Sequence, residues 1–209
     1  MNASSNTLHT AERIGRILLS GMEEILGRNE LDDLLIRASQ SGIQEQIQPF
    51  TRGGNPSCDI FNHVPAALED VYGLQAGRGL ALRAGRACFH QGLREFGAET
   101  GLTGMEFRLL PSPTRLLTGS RALAAYFNQS GCSCVSLEAD QMYTYWHMEG
   151  CPLCHGRDMD SPSCHLMVGF LQAALNWTSG GKTYLVEETG CIACGGARCT
   201  FRIDKTPLK

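Results

Sequence analysis

The stretch CIACGGARCTFRID, from Cys191 to Asp204, decides how the C-terminal part of this chain folds. Residues on either side of its cysteines favour strands, and Gly195 and Gly196 stand between them. Glycine readily adopts the positive φ angles that a tight reversal requires. The stretch therefore predicts two strands joined by a loop that folds back, with Cys191 and Cys199 facing each other across its mouth.

Cysteines upstream of this loop extend the same pattern. The chain has 10 cysteines, and six of them fall between residues 151 and 199. Cys151 and Cys154 form a Cys-x-x-Cys pair, and Cys164 stands at the start of a predicted helix. Crowded cysteines indicate a metal site, since several thiolates must converge on one ion. Buried free thiols and disulfide or redox chemistry are the other interpretations.

Zinc is the ion expected in a closed site of thiolates. An iron–sulfur cluster also takes four cysteines, and the spacing alone does not distinguish the two.

Hydrophobic periodicity predicts an α+β fold. Helices come first and strands later, which favours an antiparallel sheet with N-terminal helices packed on it and one crossing helix. The predicted elements are helices at 8–26, 31–38, 77–96, 112–127 and 163–177, a helix capped by Asn62 with Pro65 in its first turn, a hairpin at 132–149, and strands at 182–188 and 200–204. We interpret residues 1–209 as a single domain, with a helical part at 8–130 and a metal-binding part at 131–205.

Four glycines interrupt the predicted helix at 77–96: Gly77, Gly79, Gly85 and Gly92. Each weakens a helix by up to about 1 kcal/mol relative to alanine. Such glycines are tolerated where another backbone approaches closely, so the pattern predicts a buried, tightly packed helix. A phosphate-binding loop is the weaker alternative, because no strand precedes the segment and the third glycine of the dinucleotide fingerprint is absent.

Charge and hydropathy exclude several classes of partner. The net charge is −3 and only 19% of residues are charged, so no basic surface predicts binding of nucleic acid or anionic lipid. No apolar run approaches the roughly 20 residues of a membrane span. The first ten residues lack the pattern of a secretory signal, and a cytoplasmic protein is therefore expected.

Three motifs carry a resemblance to a known family. They are Pro162-Ser-Cys-His-Leu-Met-Val-Gly169, then Tyr184-Leu-Val-Glu-Glu-Thr-Gly-Cys191, then Gly195 followed by Cys199-Thr-Phe-Arg-Ile203. Together they resemble the 4-vinyl reductase domain over residues 151–204, and weaker likeness upstream is similar to stand-alone bacteriochlorophyll 4-vinyl reductase-like and hydrocarbon-binding proteins. The resemblance implies the fold of TRAPP vesicle-tethering subunits and of the aromatic-sensing domains of phenol- and toluene-responsive activators.

The resemblance also implies a set of metal ligands. In the sensing domains three cysteines and an acidic residue hold zinc, and the cysteines correspond to Cys164, Cys191 and Cys199. His147, which follows the strand tryptophan, stands where we expect the fourth ligand. Strand alternation would put His147, Glu149 and Cys151 on one face, so any of them could complete the site, with Cys154 as a spare or alternative ligand. The pair Glu187 and Glu188 is expected to support the ligands rather than bind the ion.

The same strand supplies candidates for a ligand pocket. Trp146 and Tyr143 could stack on a flat apolar molecule, and the resemblance matches Trp146 to the pocket tryptophan of the sensing domains. Ordinary core packing is the alternative for both.

We therefore expect a zinc-containing domain that binds a hydrophobic, aromatic or tetrapyrrole molecule. A reductase acting on the vinyl group of a bacteriochlorophyll precursor is the alternative. The sequence has no dinucleotide or flavin motif, so its reducing power would come from an iron–sulfur cluster or a partner. Whether the chain is an enzyme stays open. The apolar stripe from Ile14 to Leu26 predicts a homodimer through the N-terminal helix.

Overall fold

Six helices precede the first strand in the part of the chain that the structure describes. The computed structural model describes residues 3–40, 60–154 and 156–208, and the side chains of 9–37, 63–154 and 156–208. The helices are α1 (Ala3–Leu26), α2 (Arg28–Gln40), α3 (Ile60–Tyr72), α4 (Leu74–Phe96), α5 (Met105–Leu109), α6 (Ser112–Gln129) and α7 (His165–Ser179). The strands are β1 (Cys134–Ala139), β2 (Tyr143–Glu149), β3 (Val186–Gly190) and β4 (Cys199–Asp204).

The four strands form one antiparallel sheet in the order β1-β2-β4-β3. The β1–β2 hairpin turns at Asp140, whose carboxylate accepts the backbone N–H groups of Met142 and Tyr143 at 2.7 Å each. Pairing of β2 with β4 sets Met148 opposite Cys199. The end of β2, which leads to Cys151, therefore lies beside the start of β4.

Helices α4 and α7 pack with their backbones almost in contact. A methyl group added at Gly85 would collide with the carbonyl oxygen of Leu166, and one added at Gly169 would collide with that of Leu82. At Gly77 an added carbon would lie 2.6 Å from the carbonyl oxygen of Leu68 on α3. The predicted buried, tightly packed glycine helix is confirmed.

One apolar core joins the inner face of the sheet to the helices. Trp146 and Phe201 on neighbouring strands are fully buried. The ring of Phe127 on α6 meets those of Trp146 and Phe170 edge to face, with centroids 6.1 Å and 5.4 Å apart. The same buried cluster continues through α4 to α1.

The α+β class is confirmed, and individual elements differ from the sequence predictions. Helix α3 begins at Ile60, so Asn62 lies inside it instead of capping it and Pro65 stands beyond its first turn. Short helix α5 was not predicted, and β3 begins at Val186 and carries an irregularity between Glu188 and Gly190.

The apolar stripe of α1 is covered by the chain itself. Ile14, Ile17, Leu18 and Met22 are buried, and α1 packs against α4 so closely that a carbon added at Gly21 would lie 2.7 Å from the backbone nitrogen of Cys88. The stripe therefore gives no support to a dimer, which stays a prediction from resemblance. Among the described helices, none is both long enough and apolar enough to cross a membrane.

Candidate metal centre and neighbouring cavity

Five buried cysteines meet where the sheet ends against the start of α7. Cys151 and Cys154 follow β2, Cys164 precedes the first residue of α7, and Cys191 and Cys199 flank the loop between β3 and β4. Each of the five is at most 2% exposed. Segments distant in sequence thus converge on one small volume.

Two tight turns position these thiols. The backbone N–H of Cys154 donates to the carbonyl of Cys151 at 3.1 Å, and Leu153 between them is buried in the core. In the second loop Gly195 has a φ of +81°, as the sequence predicts. The N–H of Gly196 donates to the carbonyl of Cys191 at 2.9 Å, and a side chain at Gly196 would press on that same oxygen.

Cys154 lies at the centre of the thiol cluster. Its Sγ is 3.1 Å from Sγ of Cys164 and 3.4 Å from those of Cys191 and Cys199. The sulfurs of Cys164 and Cys199 are 3.9 Å apart. Thiolates at about 2.3 Å from a tetrahedral zinc lie about 3.8 Å from one another, so these four sulfurs need only a small expansion to hold one ion.

Glu188 joins the same group. Ligand atoms of Cys154, Cys164, Glu188, Cys191 and Cys199 all lie within 4.8 Å of one another. One carboxylate oxygen of Glu188 accepts the backbone N–H of Cys164 at 2.8 Å, and the other is buried with no hydrogen-bond partner among the described residues. Burial raises the pKa of Glu188 to about 8. A buried orphan oxygen beside four thiols fits a bound cation.

The thiols cannot all ionise without a cation. Hydrogen bonds among them, chiefly from Cys164, lower the pKa of Cys191 to about 5, and hydrogen bonds from Cys151 and Cys164 lower that of Cys154. Hydrogen bonds chiefly from Cys151 raise the pKa of Cys164 and of Cys199. Neighbouring thiolates repel one another in a buried site, so a positive ion would stabilise the fully deprotonated set.

The structure brings Cys164, Cys191 and Cys199 together but leaves His147 and Glu149 outside the group that could share an ion. Directly opposed strand residues project to the same face, so Cys199 lies on the face of Met148 and not on that of His147. The His147 ring instead lies 3.0 Å from the Thr200 hydroxyl through Nδ1 and 3.5 Å from Glu138 through Nε2.

Cys151 takes an intermediate position. Its Sγ lies 3.7 Å from that of Cys164, yet Cys151 is not part of the group whose ligand atoms are all close together. Gly150, with a φ of +61°, turns the chain before Cys151 and breaks the strand alternation that linked it to His147. The alternation argument therefore does not extend to it.

The two aromatic candidates lie on opposite faces of the sheet. Trp146 is fully buried on the inner face, and its indole N–H has no hydrogen-bond partner among the described residues. Tyr143 lies on the outer face, where the guanidinium of Arg202 stands 4.7 Å from its ring centroid. Trp146 and Tyr143 therefore do not line one pocket.

An apolar cavity of about 50 Å³ adjoins the thiol cluster. Its lining includes Leu18 of α1, Cys88 of α4, Phe127 of α6, Phe170 of α7, Met148 of β2 and Leu153. Pro152 and Leu153, between Cys151 and Cys154, form one wall, so the turn that presents the thiols also closes the cavity. Trp146 stands behind Phe127, one side chain away. No sequence pattern indicated this cavity, because its lining comes from six separate segments.

A larger, open groove of about 550 Å³ lies between α6 and the opposite end of the sheet. Leu116, Ser120, Tyr184 and Ile203 contribute to it, together with Lys182 and Lys205 at its edge.

Comparison with known sequences agrees with the cysteine motif. Residues 144–205 match the 4-vinyl reductase domain, so this part of the chain is a domain of that family, as the motif resemblance predicted. The matched segment runs from β2 through β4 and contains Cys151, Cys154, Cys164, Cys191 and Cys199. No curated protein matches the sequence.

Solved structures share the fold over most of the chain. The phenol-responsive sensory domain of the transcription activator PoxR, with phenol, has a TM-score of 0.53 at 18% identity and covers 85% of this chain and 90% of its own. A trafficking protein particle complex subunit 3 from Naegleria fowleri, covalently bound to palmitic acid, has a TM-score of 0.53 at 13% identity and covers 73% and 97%. An H-NOX protein from S. oneidensis in the Fe(II)NO ligation state has a TM-score of 0.54 at 10% identity and covers 92% and 98%.

Proposed function

We propose that this chain, through its 4-vinyl reductase domain, binds a small aromatic molecule in the apolar cavity beside a structural zinc ion. The observation that carries the proposal is the shared turn: Pro152 and Leu153 close the cavity, and the flanking Cys151 and Cys154 enter the thiol cluster. A metal that fixes the turn would therefore fix the cavity. The likeness to a sensory domain crystallised with phenol adds support.

Geometry favours one zinc ion over an iron–sulfur cluster. The four central thiols have sulfurs 3.1–3.9 Å apart, which suits ligands of a single ion. In an iron–sulfur cluster the cysteines are shared among several irons, which spreads the thiolates further apart. Thiolates and a borderline-soft d¹⁰ ion are well matched, and a closed, buried set of ligands is typical of structural zinc.

The chemistry of the cavity defines the ligand class. Its lining is almost wholly apolar, so the body of the ligand should be apolar too. An apolar cavity of about 150 Å³ accommodates benzene, so one of about 50 Å³ must expand to accept a ring. Movement of Phe127 would expand it toward Trp146, whose unpartnered indole N–H could donate to a hydroxyl or carbonyl oxygen. A small phenol-like molecule fits these features better than a tetrapyrrole does.

A matched pair of serine substitutions tests the assignment. Ser133 lines the small cavity from a turn, and Ser120 lines the larger groove from α6. We expect calorimetric titration with phenol to show saturable binding to the zinc-loaded chain, loss of at least tenfold in affinity for Ser133→Leu, and little change for Ser120→Leu. Loss of binding in Ser120→Leu alone would assign the ligand to the groove, and a chain that binds no small aromatic molecule would contradict the proposal.

A further inference from the structure

We infer that Cys154 is the fourth ligand, so that the ion is held by the thiolates of Cys154, Cys164, Cys191 and Cys199, and that Glu188 caps the start of α7 without binding the ion. This inference rests on the proposed metal centre and names its ligands. It departs from the set of three cysteines and an acidic residue that resemblance implies.

The position of Cys154 is the first argument. Its sulfur is within 3.4 Å of three other thiols at once, which makes it the common neighbour of the ligands that the motif predicts. Expansion of these contacts to about 3.8 Å creates a tetrahedral hole of the size that zinc occupies. No ion could bind Cys164, Cys191 and Cys199 here without also contacting Cys154.

The engagement of Glu188 is the second argument. Its Oε2 already accepts the N–H of Cys164 at 2.8 Å, in a position that satisfies a backbone donor at the helix start. The buried Oε1 is the competing ligand, because it has no hydrogen-bond partner among the described residues. Zinc in a cage of four reachable thiolates gains more from a fourth sulfur than from a carboxylate, since soft ligands suit the site.

Cys151 is excluded by its position. Its sulfur contacts that of Cys164 at 3.7 Å, but it does not belong to the mutually close group. It is buried beside the centre, and we assign it no bond to the ion. The pair Cys151 and Cys154 thus contributes one ligand, and Cys151 provides the carbonyl that anchors the turn.

Counting sulfur neighbours tests the inference without any activity assay. X-ray absorption at the zinc edge of the full chain should give four sulfurs and no oxygen. Cys154→Ser should reduce the count to three sulfurs, whereas Glu188→Gln, whose amide oxygen can still accept the Cys164 N–H, should retain four. Cys151→Ser should also retain four, and Cys194→Ser, in the same loop but with an exposed thiol, is the matched control.

Competition with a zinc chelator supplies a second readout. We expect Cys154→Ser to lose at least about 100-fold in zinc affinity and Glu188→Gln to lose about tenfold, the scale of an indirect supporting contact.

The outcomes separate the inference from the metal centre itself. Three sulfurs and one oxygen in the unsubstituted chain, with the oxygen lost in Glu188→Gln, would make Glu188 the fourth ligand and overturn the inference while leaving the zinc site intact. A count reduced in Cys151→Ser but not in Cys154→Ser would overturn it as well. A chain that takes up no metal would contradict the proposed centre. If Cys154→Ser fails to fold, the unsubstituted chain and Glu188→Gln still decide between sulfur and oxygen.

Discussion

Cys191 and Cys194 stand three residues apart in one loop, yet only Cys191 points into the cluster. Cys191 is buried within 3.4 Å of Cys154, whereas Cys194 is exposed. We expect Cys191→Ser to abolish zinc binding and to lower the melting temperature strongly, because the binding energy of a structural metal is also folding energy. Cys194→Ser should change neither.

Metal analysis together with thermal unfolding monitored by circular dichroism measures both effects. Equal zinc content and equal melting temperatures in the two variants would contradict the assignment of Cys191.

Residue-level prediction succeeded where the motif itself fixed the spacing. Cys164, Cys191 and Cys199 meet as expected, since the loop around Gly195 brings the last two together. The role suggested for His147 came from strand alternation, but register with β4 puts the thiols on the other face. Glu188 had a usable signal, three residues before Cys191 on the strand entering the loop. The inward direction of the turn at Cys154 depends on tertiary packing and could not be read from the sequence.

Helices α4 and α7 provide a prediction at the level of elements. Gly85 and Gly79 lie in the same helix, but an added carbon at Gly85 meets α7 backbone while one at Gly79 meets nothing within 4 Å. Gly85→Ala should lower the free energy of unfolding by about 1–3 kcal/mol through steric overpacking. Gly79→Ala should raise it by about 0.5–1 kcal/mol, because alanine is the better helix former.

Urea unfolding of both variants gives these free energies. Similar values for the two would mean that α4 and α7 do not approach as closely as described.

Element boundaries show what periodicity can and cannot provide. The long helices and the hairpin were predicted because their apolar positions repeat over several turns or alternate clearly. Helix α5 has only five residues, too few for a periodic signal. The start of α3 was placed too late because Pro65 resembles a first-turn proline, although the helix accommodates it beyond that turn.

At the scale of the whole molecule, the metal and the cavity form one connected unit. The turn at Pro152 and Leu153 belongs to both, so ion and ligand should influence each other. We expect zinc removal by chelation to weaken phenol binding at least fivefold. Linkage then requires saturating phenol to strengthen zinc binding by the same factor.

Parallel titrations, phenol with and without zinc and zinc with and without phenol, measure the coupling in both directions. Phenol affinity that does not change when zinc is removed would mean that the cavity forms independently of the metal.

The most direct test of the central claim is one crystal structure of the zinc-loaded chain soaked with 4-bromophenol, with anomalous scattering recorded for both zinc and bromine. We predict a zinc peak among the sulfurs of Cys154, Cys164, Cys191 and Cys199, and a bromine peak in the cavity between Phe127, Phe170 and Leu153. A bromine peak in the groove beside Tyr184, or the lack of any zinc peak at the thiols, would contradict the account.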